Sequence, residues 1–91
     1  LSDGLVATDV NWLVDPPTEP LSCSAKIRYR HGGSAATVTA NAAGGAVVRF
    51  AEPQSAVTPG QAVVFYDGPR VLGGGWIDRA GTPTKQPAPN F

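Results

Sequence analysis

The sequence predicts an all-β fold, a small closed or nearly closed antiparallel β-barrel, and three observations predict it. Gly and Pro together supply 20 of 91 residues, as 11 and 9. Both are poor helix formers and good turn formers, so the chain is cut into short elements. Five or six short runs of apolar, β-branched or aromatic residues recur roughly every ten positions between turn signals, the spacing of an all-β sandwich or barrel. No segment keeps an apolar period of 3.6 beyond two turns, which excludes long amphipathic helices. Closure into a barrel also removes the exposed strand edges that a domain this small would otherwise present.

The elements follow in order. Residues 4–14, GLVATDVNWLV, read as a strand with imperfect alternation. DPPTEP at 15–20 breaks it, because its three prolines hold the chain extended. In residues 21–30 Cys23, Ala25, Ile27 and Tyr29 alternate with Ser24, Lys26, Arg28 and Arg30, so one strand face buries and the other is polar. HGG at 31–33 turns the chain. AATVTA at 35–40 and AVVRF at 46–50, joined by NAAGG, form a hairpin with Ala36, Val38 and Ala40 on one face. EPQSAVTPGQ at 52–61 reads as a surface loop. AVVFY at 62–66 and VLGGGWI at 71–77 are partner strands around the turn DGPR. The stretch from Arg79 to Phe91, with three prolines and little apolar content, reads as a frayed tail.

Composition narrows the function classes. Ninety-one residues make one domain, too small for a large catalytic cleft. A single cysteine, Cys23, forms no internal disulfide, and one Cys with one His does not build a four-ligand zinc site. No apolar run approaches the ~20 residues that span a bilayer, and no signal peptide opens the sequence, so a cytoplasmic protein without membrane partners is the expectation.

Net charge is zero but unevenly spread. Residues 1–20 hold Asp3, Asp9, Asp15 and Glu19 with no cation; residues 21–50 hold Lys26, Arg28, Arg30 and Arg49 with no anion. A neutral domain can therefore present a basic stripe. Lys26, Arg28 and Arg30, at alternate positions, would stand about 6.6 Å apart on one strand face, near the repeat of backbone phosphates. Arginine forks suit phosphate oxygens. An ordinary solvated face is the competing reading of the same residues.

Other candidates carry less. Gly73–Gly75 lack the following helix of a phosphate loop and fit a bulge or close backbone approach. Cys23 shares its face with apolar residues, so its thiol should be inward and unreactive. His31 has no carboxylate near it in sequence and reads as a turn residue or one more phosphate contact. No catalytic residue and no metal ligand set emerges.

The phrases CSAKIRYRHGG, AEPQSAVTPGQAVVFYDG and VLGGGWI closely resemble the C-terminal domain of the bacterial tRNA-specific 2-thiouridylases, historically labelled tRNA (5-methylaminomethyl-2-thiouridylate)-methyltransferases. The resemblance runs from about residue 4 to 78. It implies a barrel similar to the second domain of elongation factor Tu, spanning 15–78, with 1–14 leading in from a preceding domain and 79–91 as the tail. It implies a full-length enzyme that uses ATP to adenylate the C2 oxygen of the wobble uridine and then replaces that oxygen with persulfide sulfur. The S-G-G-V-D-S phosphate loop and the catalytic cysteine pair of that chemistry are absent here, so this chain is expected to be inert alone and to hold no cofactor. The partners implied are tRNA, the N-terminal catalytic domain and a persulfide sulfur-donor protein. The family pattern places tRNA contacts on the residues that are Arg28, Tyr29 and Gln61 here. Charge placement, independent of the family, adds Lys26, Arg30 and His31. The alternative function is a structural or protein-interaction barrel that braces the catalytic domain or recruits the sulfur donor.

Overall fold

The computed structural model describes residues 1–27 and 33–82. These residues form six strands: β1 (Ser2–Trp12), β2 (Leu21–Ile27), β3 (Ser34–Ala40), β4 (Ala46–Gln54), β5 (Ala62–Asp67) and β6 (Arg70–Ala80). They close into a barrel in the order β1-β4-β3-β2-β5-β6, with β6 pairing back onto β1. Every neighbouring pair is antiparallel. The expected fold class is therefore the observed one.

Alternation builds the interior. Along β3 Ala36 and Val38 are buried while Thr37 and Thr39 are half-buried on the outside, and along β5 Val63 and Phe65 are buried between Ala62, Val64 and Tyr66. The registers bring these inward residues together: Leu5 faces Val48, Ala25 faces Phe65, and Ile27 faces Val63. The barrel is narrow, so most of its filling is alanine and valine. Phe65 is the largest fully buried side chain, and Trp12 stacks on it with ring centroids 5.6 Å apart.

Three expectations change. Residues 1–14 do not lead into the barrel; they supply β1, which bonds to both β4 and β6 and closes it. The alternation of this stretch is imperfect because of a bulge. The β1–β6 register shifts between Thr8 and Asn11, with Asp9 at φ 51°. Leu5 and Ala7 point inward before the bulge, Val10 and Trp12 pack against the core after it, and the inward parity switches from odd to even. Next, β4 extends to Gln54, three residues into the expected loop; Pro53 is accommodated where the β1–β4 register breaks between Ser2 and Gly4. Last, β6 runs through Ala80. Beyond it Gly81 donates to the Gly4 carbonyl at 2.8 Å, and the Thr82 amide and hydroxyl donate to the two carboxylate oxygens of Asp3 at 3.3 and 3.4 Å. Thus 79–82 are part of the fold, and the tail expected to follow them lies outside the described residues.

The Gly73–Gly75 run is a close-approach segment. A Cβ at Gly73 would stand 2.7 Å from the Asn11 carbonyl oxygen, and one at Gly75 2.7 Å from that of Thr8. The β5–β6 register also shifts beside it, between Phe65 and Tyr66. Only glycine lets β6 wrap this tightly against β1.

Candidate nucleic-acid interface

In a closed antiparallel barrel, odd strands begin where even strands end. One end, the upper rim, therefore gathers Ser2, Ile27, Ser34, Gln54, Ala62 and Ala80. The lower rim gathers Trp12, Leu21, Ala40, Ala46, Asp67 and Arg70. The candidate RNA-contact residues belong to this geometry in different ways.

Gln61 stands at the upper rim. It closes a turn in which its amide donates to the Thr58 carbonyl at 3.3 Å, with Pro59 and then Gly60 at φ 90° between them. Proline followed by a positive-φ glycine is the requirement of a type II turn. The turn is fixed against β6: Gly60 N–H donates to the Ile77 carbonyl at 2.8 Å, and Ile77 N–H donates to the Gln61 carbonyl at 2.7 Å. The side chain does not reach openly outward. Gln61 is half-buried, and its Oε1 is enclosed with no hydrogen-bond partner.

Lys26 is exposed on the outer face of β2, opposite Val64, as alternation required. No ion pair engages it among the described residues. Arg28, Tyr29, Arg30 and His31 lie outside the described residues. The described chain stops at Ile27 and resumes at Gly33, both at the upper rim. Ile27 pairs with Val63, so the chain leaves β2 two residues from Gln61. Arg49, the remaining cation of the 21–50 segment, is exposed but belongs to another part of the surface, opposite Thr37 and Gly4.

Two features were not singled out as functional in the sequence. Trp76 was read only as part of a strand. It lies on the outer face of β6, 53% exposed, opposite Ala62 on one side and Thr8 on the other. The signal was present: Ile77 had to point inward, so its neighbour had to point out. The second feature is a shallow groove of about 260 Å³ formed by Asn11, Leu13, Val64, Val71, Gly73 and Gly74, nearer the lower rim. Leu13 depended on the bulge in β1 and was not legible.

Catalytic chemistry finds little to work with. No group of three His, Cys, Asp or Glu residues that would hold a metal occurs among the described residues. Cys23 borders a shallow pocket of about 340 Å³ with Thr37, Arg49 and Phe50. Burial pushes its thiol up from 9.0 to about 11, which keeps it protonated at neutral pH. The glycine run lies inside β6, with no helix among the described residues, so these residues do not fit an ATP phosphate site. No helix of the described residues is long and apolar enough to cross a membrane.

The fold defines a class: a small closed antiparallel β-barrel domain of six strands. Residues 2–77 match the family described as the aminomethyltransferase β-barrel domain, and the chain belongs to that family. Over 82 residues it is 60% identical to the tRNA-specific 2-thiouridylase MnmA of Geobacter metallireducens, covering 90% of this chain and 22% of the relative. It is 53% identical over 79 residues to the MnmA of Geotalea uraniireducens, covering 87% and 21%. It is 51% identical over 79 residues to that of Shouchella clausii, covering 86% and 22%. The chain thus spans about a fifth of the length of the curated relatives it matches, and corresponds to their C-terminal domain.

Proposed function

We propose that this barrel is the tRNA-holding domain of an ATP-dependent tRNA 2-thiouridylase, and that its upper rim carries the contact. Sulfur transfer to C2 of the wobble uridine, ATP use and acceptance of persulfide sulfur belong, in this reading, to the remainder of such an enzyme in the cytoplasm. This domain contributes no catalytic residue and no cofactor ligand. One observation carries the reading. The described chain leaves β2 at Ile27, which pairs with Val63 two residues from Gln61, and Arg28 and Tyr29 follow Ile27 directly in sequence. Lys26 extends that rim along the outer face of β2. Arg28, Arg30, His31 and Lys26 supply phosphate contacts, which position RNA without reading its sequence. Tyr29 and Gln61 supply a ring, a hydroxyl and a carboxamide for ribose or base.

The test is Arg28→Ala in the full-length enzyme. tRNA affinity at low salt should fall about tenfold, the scale of one lost charge-assisted contact, with ATP binding unchanged. Unchanged tRNA affinity would overturn the assignment.

The alternative, a bracing or protein-interaction barrel, is favoured by the groove near the lower rim, where Leu13 is 63% exposed beside Val71. Crosslinks from tRNA to the other domains alone, with this barrel silent, would select it.

A further inference from the structure

We infer that Trp76 is a stacking platform for an unpaired nucleobase of the bound RNA, set beside β5 on the outer face of the upper half of the barrel, with Lys26 on the far side of that strand. The inference rests on the proposed tRNA-holding role and adds to it a residue and a mode of contact.

Tryptophan is a costly residue to leave in water, and this one is more than half exposed. Its surroundings keep the ring accessible. Its cross-strand neighbours are Ala62 and Thr8, and the next outward position on its own strand is Gly74, so no large side chain covers it from these sites. Its backbone is held firmly, because the adjoining Ile77 exchanges hydrogen bonds with Gly60 and Gln61 at 2.8 and 2.7 Å. A rigid strand presenting an uncovered aromatic face is the device by which nucleic-acid-binding sheets and barrels stack bases.

Two nearby groups fit a nucleotide and a third sets the direction of its backbone. Gln61, bonded through its backbone to the residue after Trp76, has a carboxamide oxygen with no partner in the fold. That oxygen is enclosed, so turning it out toward a ligand donor would satisfy an acceptor the fold leaves without a bond. Lys26 is exposed on the other side of β5, opposite Val64, while Trp76 is opposite Ala62, two residues along. Two strand spacings and two residue rises place their Cα atoms roughly 12 Å apart, within the span of a base and its phosphate once the side chains extend. Asp78, two residues beyond Trp76 and exposed, stands on the opposite side of the ring from Gly74. A phosphate is disfavoured there, so the backbone of the stacked nucleotide runs toward Lys26. An aliphatic protein partner fits this face less well, because the exposed aliphatic side chains Leu13 and Val71 line the groove nearer the lower rim.

The experiment uses the full-length enzyme and an unmodified substrate tRNA, with affinity measured at two salt concentrations for Trp76→Ala, Trp76→Phe and Arg28→Ala. A stack is lost in the first variant and largely kept in the second. Trp76→Ala should bind about tenfold more weakly, and Trp76→Phe within about twofold of the parent. Neither should change the salt slope, because stacking displaces no counterion. All three variants should keep the parent's melting temperature. If Arg28→Ala weakens binding and Trp76→Ala does not, the platform is wrong and the tRNA role stands. Equal losses in the alanine and phenylalanine variants, or a changed slope in Trp76→Ala, overturn stacking. If all three bind like the parent, the tRNA role and the platform fall together.

Discussion

The upper rim of the barrel is polar and tied by backbone hydrogen bonds: Gln61 precedes β5 there and is bonded to Ile77, the residue after Trp76, and Lys26 stands near it on β2, two strands from Trp76. The lower rim is different. Leu13, Leu21 and Val71 are exposed there, and the linker that crosses it carries Asp15 and Glu19. Asp15 and Glu19 of the acidic first fifth lie past the lower rim, whereas Lys26 stands near the upper one, where the described chain stops at Ile27 and resumes at Gly33. A closed antiparallel barrel does this sorting by itself. It reverses direction at every strand, so residues share a rim according to their place at a strand end and not according to their distance in sequence.

Both rims hang on one core, and the largest expected effect is loss of the distinction between them. Phe65 is fully buried, faces Ala25 and Gly73 across its two neighbouring strands, and carries Trp12 on its ring. Phe65→Ala should cost about 3–5 kcal/mol, most of the stability available to a domain of this size. Thermal or urea unfolding of the variant measures it. A loss below about 1 kcal/mol would mean that the interior is less tightly filled than the structure shows.

A smaller effect sharpens the comparison. Lys26 near the upper rim and Arg70 at the lower one are both exposed cations. Replacing either with alanine makes the same change in net charge. If tRNA lies on the upper rim, Lys26→Ala in the full-length enzyme should lower the salt slope of tRNA binding by about 1 and weaken affinity a few-fold, while Arg70→Ala changes neither. Equal shifts in the two variants would mean that RNA senses only the overall field, and the rims would then be functionally alike.

Much of this was legible in the sequence, and the limits have physical causes. Alternation placed Ala36, Val38 and Lys26 on their observed faces, because period-2 exposure is a local property of extended chain. Glycine at 73–75 was correctly read as close backbone approach. The place of β1 was not legible: its bulge at Asp9 switches the inward parity, and a parity switch looks like weak patterning when the partner strand is unknown. The partial burial of Gln61 was not legible, because it follows from the hydrogen bonds that lock its turn onto Ile77 of the neighbouring strand β6. Trp76 was missed for the opposite reason. Its face was determined by Ile77, but its importance appeared only once Trp76 and Lys26 were found on either side of the same strand, β5, with Gln61 at its start.

The smallest expected effect concerns Cys23, which belongs to neither rim. Its thiol packs against the core and is raised to about 11 by burial. The unfolded chain loses this proton near its ordinary value of 9.0, whereas the folded chain keeps it. The folded state therefore binds more protons across that interval, and stability contributed by the neutral thiol is present below pH 9 and lost as pH rises toward 11. The thiol is only partly buried, so the slope should fall well short of the full linkage of a sealed group. Comparing Cys23→Ala with the parent isolates it, since tyrosine and lysine titrations are common to both proteins. The stability difference between them should change between pH 9 and 11 and stay flat between 6 and 8. Alkylation of Cys23 at pH 8 should likewise run about a hundredfold slower than that of a free thiol, because the thiolate fraction is that much smaller. A flat difference across the whole range, or alkylation at the rate of free cysteine, would show that the thiol meets water freely and that β2 does not seal its inward face between the two rims.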